Sequence, residues 1–260
     1  MRDIALILPA AGRSTRFHAG RHPETAPLDT HALDDLPPRK VFLDLDGAAV
    51  WVRTLTRFAN RPDLARVLVA VCPEDRSAFE RHFAIPLKTF GVEVVEGGAE
   101  RFETVARALD HLRDDPTIAL VAVHDAARPC VPPDRIEAVF QAARHCGAAA
   151  LAVPVADTLR RIDAEGFAAG VIDRTGVVAM QTPQVFRRDW LIEAHDRHRQ
   201  RLANHHDTAD SLAVTDDVQL VEALGKRCAL VPGHPANLKI TTPRDFELAR
   251  ALLRAETSVL

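Results

Sequence analysis

The sequence has few cysteines and no paired cysteine motif. Disulfide frameworks and structural zinc sites both depend on cysteines that are numerous or closely spaced. The four cysteines of this chain are far apart, and none belongs to a Cys-x-x-Cys pair. These thiols, Cys72, Cys130, Cys146 and Cys228, therefore favour a reduced, cytoplasmic protein over a disulfide-stabilised or zinc-binding one.

Long hydrophobic runs and an excess of basic residues are also missing. No stretch approaches the roughly 20 apolar residues that a membrane helix needs. The apolar run at 4–8 is too short for the hydrophobic region of a signal peptide. The formal net charge is −3, whereas general nucleic-acid or membrane-surface binding usually shows a basic excess. The sequence therefore predicts no nucleic-acid partner and no membrane partner.

Motifs of several common enzyme classes are absent as well. The small-residue turn at 10–12 contains a single glycine, so it is neither G-x-G-x-x-G nor a Walker A loop. This argues against a dinucleotide oxidoreductase and a P-loop kinase. No His-Glu-x-x-His motif occurs, and the histidines at 195, 198 and 205–206 are more simply interpreted as a solvated helix face than as a metal site.

Short β-branched and apolar runs alternate with helical patterns along the 260 residues. Most of these runs are continuously apolar, which is typical of strands covered on both faces. Such alternation predicts a three-layer α/β fold with a mostly parallel sheet, in a single domain spanning 1–260. The predicted strands are 3–8, 65–72, 92–95, 117–124, 148–155 and 227–231. The predicted helices are 48–59, 74–83, 100–113, 133–146, 188–203, 217–224 and 243–254.

Two segments interrupt this alternation. Residues 18–38 are rich in proline and histidine, have no periodicity and are long for a connection, so we expect a mobile or functional loop. Residues 156–182 predict a pair of short strands around Gly166. A β arm of this kind often forms a dimer contact, so we expect this segment to project from the domain.

The first chemical motif follows the first predicted strand. Ala10, Ala11 and Gly12 allow a ligand to approach the backbone closely, since no large side chain obstructs it. Arg16 then supplies a permanent positive charge with a planar fork suited to phosphate. The alternative is an ordinary strand-to-helix turn followed by a solvated arginine.

The second motif, residues 124–129, ends another buried strand. Ligands collect at the carboxyl ends of the strands in open α/β sheets. Asp125 beside two alanines leaves room for a hydrated Mg²⁺, which prefers one or two carboxylates together with phosphate oxygens. The alternative is a structural ion pair between Asp125 and Arg128.

A third motif is a glycine turn that opens a predicted helix. Gly97, Gly98 and Ala99 precede Glu100 and Arg101, with Thr104 one turn later. Backbone N–H groups at such a helix start can bind a base or a phosphate. The alternative is an ordinary helix N-terminus with Glu100 in its first turn.

Taken in order, these motifs resemble the 2-C-methyl-D-erythritol 4-phosphate cytidylyltransferase family, and the resemblance covers nearly the whole chain. The matching residues are Pro9-Ala10-Ala11-Gly12 with Arg16, Lys40, Gly97-Gly98-x-Glu100-Arg101, Val123-His124-Asp125-Ala126-Ala127-Arg128-Pro129, Val155-x-Asp157-Thr158, Arg174-x-Gly176, Gln181-Thr182-Pro183-Gln184-x-Phe186, Thr215-Asp216-Asp217 and Asn237-Leu238-Lys239. The resemblance implies a Rossmann-like nucleotidyltransferase fold with a projecting β arm. It also implies a homodimer that uses CTP and Mg²⁺ and releases pyrophosphate in non-mevalonate isoprenoid synthesis.

The resemblance also implies roles for individual residues. Arg16 and Lys40 would stabilise the transition state, while Arg174 and Lys239 would position the methylerythritol phosphate. Asp125 would hold the metal. The residues that would bind CTP are Pro9, Ala10, Ala11, Gly12, Gly98, Ala99 and Thr104. Those that would line the sugar-phosphate pocket, partly across the dimer, are Arg128, Asp157 and Thr158.

The chain departs from the family pattern at a few positions. Arg39 separates the proline from Lys40, and we assign the catalytic role to Lys40 because Phe42 and Leu43 follow it as in the family. Ala99 and Ala236 stand where acidic residues are common. Two alternatives stay open on the sequence: a cytidylyltransferase for another polyol phosphate, such as ribitol 5-phosphate, and a catalytically silent binding paralogue.

Overall fold

The computed structural model describes residues 1–19, 36–204 and 214–257. The strands among them are β1 (Ile4–Pro9), β2 (Leu64–Val71), β3 (Val92–Glu96), β4 (Leu120–Val123), β5 (Ala148–Pro154), β6 (Leu159–Ile162), β7 (Ala168–Ile172), β8 (Val178–Arg187) and β9 (Ala229–Pro232). The α-helices are α1 (Thr15–Ala19), α2 (Val50–Thr56), α3 (Arg76–His82), α4 (Ala84–Phe90), α5 (Arg101–Asp110), α6 (Pro133–Cys146), α7 (Arg188–Asn204), α8 (Asp217–Glu222) and α9 (Pro243–Thr257).

One seven-stranded sheet organises the described chain, in the order β3-β2-β1-β4-β8-β5-β9. β1 pairs in parallel with β2 and β4, β2 with β3, and β5 with β9. β8 runs antiparallel between β4 and β5. The mostly parallel α/β fold predicted from the sequence is therefore confirmed, with one reversed strand in the middle.

The sheet separates two hydrophobic layers. Alternate residues of β1 enter opposite layers, with Ile4, Leu6 and Leu8 on one side and Ala5 and Ile7 on the other. The first layer is covered by α2, α6 and α9, and the second by α5, α7 and α8. The strands are continuously apolar because each face of the sheet is buried against helices.

Several features of the chain differ from the sequence prediction, including the unpredicted short helix α1. β8 was not predicted, because its centre carries Gln181, Thr182, Pro183 and Gln184 rather than an apolar run. Its first residues, 178–182, belong to the main sheet, although the sequence pattern assigns them to the arm. The short helix α4 was also missed, and β4 begins three residues later than predicted, at Leu120.

The predicted pair of short strands is present as the antiparallel hairpin β6–β7 around Gly166. This hairpin is a separate two-stranded sheet. Three of its large apolar side chains are exposed: Ile162 by 75%, Phe167 by 71% and Val171 by 63%. Exposed apolar patches are typical of surfaces that bind proteins, membranes or ligands.

Some predictions fall partly or wholly outside the described residues. Most of the predicted loop at 18–38, namely residues 20–35, lies outside, as does the histidine pair at 205–206. Within the described ranges, no helix combines the length and the hydropathy that a membrane crossing requires.

Candidate active site

The loops that follow β1 and β4 meet at one edge of the sheet. These strands are neighbours and run in the same direction, so their carboxyl ends open onto the same side. A cavity of about 350 Å³ lies there. It is lined by eleven of the predicted site residues: Pro9, Ala10, Ala11, Gly12, Arg16, Lys40, Gly98, Ala99, Thr104, Asp125 and Lys239.

The cavity has an excess of positive charge. Its cationic side chains are Arg13, Arg16, Lys40, Arg101 and Lys239, against the two carboxylates Glu100 and Asp125. Several fixed cations around a concave site attract a polyanion and raise its local concentration. The arrangement suits a ligand with several phosphate groups.

Lys40 and its neighbour Arg39 have different environments. Arg39 is buried, forms an ion pair with Asp75 and approaches Glu74 at 3.4 Å. Lys40 instead lines the cavity, and burial together with repulsion from Lys239 lowers the pKa of its ammonium group to about 8. Of the two cations in the Pro-Pro-Arg-Lys stretch, Lys40 is thus the one that faces the cavity.

Asp125 lies at the centre of a cluster of cations. Its Oδ2 atom is 3.0 Å from Arg128 Nε and 3.1 Å from Lys239 Nζ, and Arg101 Nε approaches Oδ1 at 3.6 Å. Burial raises the pKa of this carboxyl, but the three cations outweigh that effect and hold the pKa well below its usual range. The Asp125–Arg128 ion pair that the sequence offered as an alternative is present, and it is one contact among three.

A buried hydrogen-bond network fixes the Asp125 backbone. The Asp125 N–H donates to Thr182 Oγ1 at 3.0 Å, so the Thr182 hydroxyl is free to donate to His124 Nδ1, also at 3.0 Å. His124 Nε2 then donates to the Arg128 carbonyl. Burial lowers the pKa of His124 to about 4, which keeps the ring neutral. His124 is therefore a structural member of its motif rather than an acid or base.

Asn237 connects the same network to the last motif. Its Nδ2 donates to Gln181 Oε1 at 3.1 Å and to the Thr182 carbonyl at 2.8 Å. Arg128 Nη1 donates to the Asn237 carbonyl at 2.6 Å. These bonds hold the segment that carries Lys239 against the end of β4. Arg128 itself does not line the cavity.

The glycine turn before α5 packs tightly against the first loop. A Cβ atom on Gly97 would lie 2.5 Å from Ala11 Cβ, too close for any other residue. The Gly98 N–H donates to Thr104 Oγ1 at 3.0 Å, and the Ala99 N–H donates to Glu103 Oε2 at 2.9 Å. Side chains of the first helical turns thus shape the wall formed by Gly98 and Ala99.

The remaining predicted residues lie in or near the arm, away from the cavity lining. Asp157, Thr158 and Arg174 are exposed. Arg174 Nη1 donates to the carbonyls of Val155, at 3.1 Å, and Ala156. Within the part of the chain that the structure describes, the arm does not line the cavity.

The predicted site residues do not include Arg101, which lines the cavity next to Asp125. Arg101 belongs to the Gly97–Arg101 motif, and this position could have identified it as a site residue.

The prediction that His195 lies on a solvated helix face is wrong. His195 is 2% exposed, not solvated, and its Nε2 lies 3.0 Å from the fully buried carboxylate of Asp217.

The acidic side chains that the structure describes at the cavity are too few for a metal site built from the protein alone. Among the described residues, no group of three or more His, Cys, Asp or Glu side chains could hold a metal ion. Asp125 supplies one carboxylate, and its Oδ1 makes the longer contact, 3.6 Å, to Arg101 Nε. One carboxylate fits a Mg²⁺ ion that takes most of its other ligands from phosphate oxygens and water.

A sequence model of the 2-C-methyl-D-erythritol 4-phosphate cytidylyltransferase family matches residues 4–255. The enzyme of that name from Salinibacter ruber is 41% identical over 251 residues, which cover 96% of this chain and 92% of the relative. The one from Rhodopirellula baltica is 35% identical over 260 residues, covering 96% and 95%.

The fold is also similar to a solved structure of the same enzyme. The crystal structure of 2-C-methyl-D-erythritol 4-phosphate cytidylyltransferase from Thermus thermophilus superposes with a TM-score of 0.71 at 35% identity. The similarity covers 98% of this chain and the whole of that one.

Proposed function

The chain belongs to the 2-C-methyl-D-erythritol 4-phosphate cytidylyltransferase family, and from that premise we propose how its cavity performs the reaction. A cytidylyl group passes from CTP to 2-C-methyl-D-erythritol 4-phosphate, and pyrophosphate is released. This is a step of isoprenoid precursor synthesis. The observation that carries the proposal is the group of cations around Asp125 at the carboxyl ends of β1 and β4.

The reaction needs charge neutralisation rather than a base. The acceptor phosphate is already an anion, and one of its oxygens attacks the α-phosphorus of CTP while the bond to the bridging oxygen breaks. The electron pair leaves with pyrophosphate. Negative charge develops on the α-phosphate oxygens, where fixed cations stabilise it most effectively. We assign this role to Arg16 and Lys40, which both line the cavity.

The small-residue walls fit the nucleoside part of CTP. The backbone at Pro9–Gly12 and at Gly98–Ala99 leaves space for a flat base, because no large side chain of these residues occupies it. Thr104 supports this wall through its bond to the Gly98 N–H. We propose that these residues bind the cytosine and the ribose.

Asp125 is the residue that we propose to hold Mg²⁺, together with the oxygens of the triphosphate. When bound, the ion supplies positive charge that neutralises the phosphates and favours departure of pyrophosphate. Lys239 and Arg128 contact the same carboxylate, so they keep it ionised and correctly oriented.

We propose that the acceptor pocket is completed by a second copy of the chain. Asp157, Thr158 and Arg174 belong to the arm region and are exposed, and the hairpin carries the exposed apolar side chains of Ile162, Phe167 and Val171. Pairing of two arms would bury this apolar surface and bring Arg174 to the partner's cavity. The protein would then act as a homodimer, and its scattered free cysteines fit a cytoplasmic location.

The proposed reaction is tested by incubating the purified protein with CTP, Mg²⁺ and a single acceptor while pyrophosphate release is followed. We expect release with 2-C-methyl-D-erythritol 4-phosphate and much slower release with ribitol 5-phosphate. Release with ribitol 5-phosphate alone would contradict the proposed acceptor. No release with either acceptor would contradict the proposed activity.

Replacement of Asp125 by asparagine should reduce activity by on the order of 10²-fold or more. The amide keeps the shape of the side chain but loses the charge that binds Mg²⁺ and balances Arg101, Arg128 and Lys239. We expect a higher Mg²⁺ concentration at half-maximal rate and a lower midpoint of thermal unfolding. Asp110→Asn is the matched control, because Asp110 also pairs with two arginines but lies on α5 outside the cavity. Unchanged Mg²⁺ dependence in Asp125→Asn would leave Asp125 as a structural partner of the cations only.

The pKa of Lys40, about 8, predicts a pH dependence. Because only the protonated ammonium group stabilises the transition state, kcat/KM for CTP should fall as the pH rises through about 8. In Lys40→Arg the guanidinium stays charged, so a slower enzyme should keep a flat profile to about pH 9.5. The measurement is kcat/KM between about pH 6 and 10 for both proteins. The same alkaline fall in Lys40→Arg would assign the titration to another group.

A further inference from the structure

A buried series of alternating charges extends behind the cavity. Asp125 is followed by Arg101, whose Nη1 donates to Asp217 Oδ2 at 2.7 Å. The other oxygen of Asp217, Oδ1, lies 3.0 Å from His195 Nε2. Asp217 is completely buried and His195 is 2% exposed. The series connects the cavity to α7 and α8, which contribute no residue to its lining.

The position of Asp217 is fixed from several sides. Its N–H donates to Gln184 Oε1 of β8 at 3.1 Å, and Gln184 Nε2 in turn donates to Asp216 Oδ2. Burial raises the pKa of Asp217, but Arg101 and the His195 hydrogen bond outweigh it and lower that pKa to about 2. An ionised carboxylate held by hydrogen bonds therefore lies beside the Arg101 guanidinium.

Arg101 is held more closely by Asp217 than by Asp125. The contact with Asp217 is a hydrogen-bonded ion pair of 2.7 Å, whereas the closest approach to Asp125 Oδ1 is 3.6 Å. The other two cations, Arg128 and Lys239, make their closest contacts with Oδ2 of Asp125. The Oδ1 atom is consequently the one that is less occupied by protein cations.

We propose that Asp217 and His195 are positioning residues that hold Arg101 back from Asp125, so that Oδ1 remains available to the ligand. This inference rests on the proposed function, because the ligand in question is the Mg²⁺–CTP complex. Asp217 supplies the competing charge. His195 donates to Oδ1 of Asp217, which orients the carboxylate so that Oδ2 faces Arg101.

The consequence is specific to the metal-dependent part of nucleotide binding. Without the charge of Asp217, the Arg101 guanidinium should close the 3.6 Å gap and form a direct ion pair with Asp125 Oδ1. CTP without Mg²⁺ would still bind to the cations of the cavity. Mg²⁺–CTP would lose part of its carboxylate ligand. The sensitive quantity is the ratio of the Kd of CTP without Mg²⁺ to its Kd with Mg²⁺.

The test measures this ratio by titration calorimetry with CTP, with and without Mg²⁺. We expect Asp217→Asn to lower the ratio about tenfold. His195→Leu should lower it about threefold, and His195→Gln, which keeps an N–H donor, should restore it. Asp110→Asn is the matched control. It removes another carboxylate that pairs with arginines, but its partners are Arg113 and Arg199, so the ratio should stay within about twofold.

A double-mutant cycle tests whether the effect passes through Arg101. In an Arg101→Gln background, Asp217→Asn should change the ratio no further, because the side chain that Asp217 holds has been removed. A ratio unaltered in both Asp217→Asn and His195→Leu overturns the inference. It is also overturned if Asp217→Asn lowers the ratio as much in the Arg101→Gln background as in the unaltered protein.

Two further outcomes remain distinguishable. If Asp217→Asn does not fold, the ratio measured for the two His195 variants tests the inference, because these variants leave the charge of Asp217 in place. Failure of the proposed function would give a different result from failure of this inference. The unaltered protein would then show no gain in CTP affinity from Mg²⁺ and no pyrophosphate release.

Discussion

Lys40→Ala is expected to lower kcat by on the order of 10²-fold or more, with a much smaller change in the KM for CTP. Lys40 lines the cavity beside Arg16, Lys239 and Asp125, and its charge would act mainly on the negative charge that develops at the α-phosphate. An interaction that is stronger in the transition state than in the ground state affects kcat rather than KM. Arg16→Ala should behave in the same way.

The neighbouring arginine provides the control for this prediction. Arg39 forms a buried ion pair with Asp75, so Arg39→Ala should leave that carboxylate buried and unpaired. We expect a clearly lower midpoint of thermal unfolding, whereas Lys40→Ala should unfold near the temperature of the unaltered protein. The measurements are steady-state kinetics and thermal unfolding of both variants. Full turnover in Lys40→Ala, with a stable but inactive Arg39→Ala, would reverse the assignment of the two residues.

The strands that were predicted correctly share a simple cause. In β1 and β2 nearly every residue is apolar, because α-helices cover both faces of the sheet there. β8 could not be found in this way. Its Gln181, Thr182 and Gln184 are buried, and they are stable there only because partners distant in sequence satisfy their hydrogen bonds. The sequence of the β8 segment alone does not contain those hydrogen-bond partners, so it does not predict a buried strand.

The candidate site was predictable to the extent that its residues follow strand ends. Asp125 lies two residues after the end of β4, and the Ala10–Gly12 turn comes directly after β1, so the edge of a parallel sheet brings them together. The contact between Arg101 and Asp217 joins positions 116 residues apart. No periodicity or local motif predicts such a contact. The burial of His195, the partner of Asp217, was not predicted because the residues around it in the sequence are polar.

The choice between Arg39 and Lys40 illustrates the same limit. Both residues are cations in one four-residue stretch, and their sequence neighbours alone do not show which side chain turns inward. Asp75, well separated from Arg39 along the chain, decides this by pairing with the guanidinium and leaving Lys40 at the cavity. The decisive group lies on another element, after β2, and only the folded chain brings it near.

Mixing two inactive variants, Arg174→Ala and Lys40→Ala, is expected to restore about a quarter of the activity of the unaltered protein. The prediction follows from the proposed shared site, which takes Lys40 from one chain and Arg174 from its partner. Random exchange makes about half of the dimers mixed, and each mixed dimer contains one intact site and one site with both defects. Activity should be measured after subunit exchange has been verified with differently tagged chains.

Two controls make this result specific to the arm. Lys40→Ala mixed with Arg16→Ala should recover nothing, because both residues line the cavity of the same chain and every site in the mixed dimer then keeps one defect. Arg161→Ala removes another exposed arginine from β6 of the arm and should retain activity.

The structure also offers a purely local role for Arg174, since its guanidinium donates to the carbonyls of Val155 and Ala156 at the base of the arm. A local role predicts an unaltered KM for the acceptor in Arg174→Ala and no recovery on mixing. The shared site predicts instead a raised acceptor KM, because a planar guanidinium binds a phosphate through two parallel hydrogen bonds. Lysine keeps the charge but cannot form that pair of bonds, so Arg174→Lys should rescue the KM only in part. A monomeric protein with full activity in sedimentation and kinetic measurements would rule out the shared site.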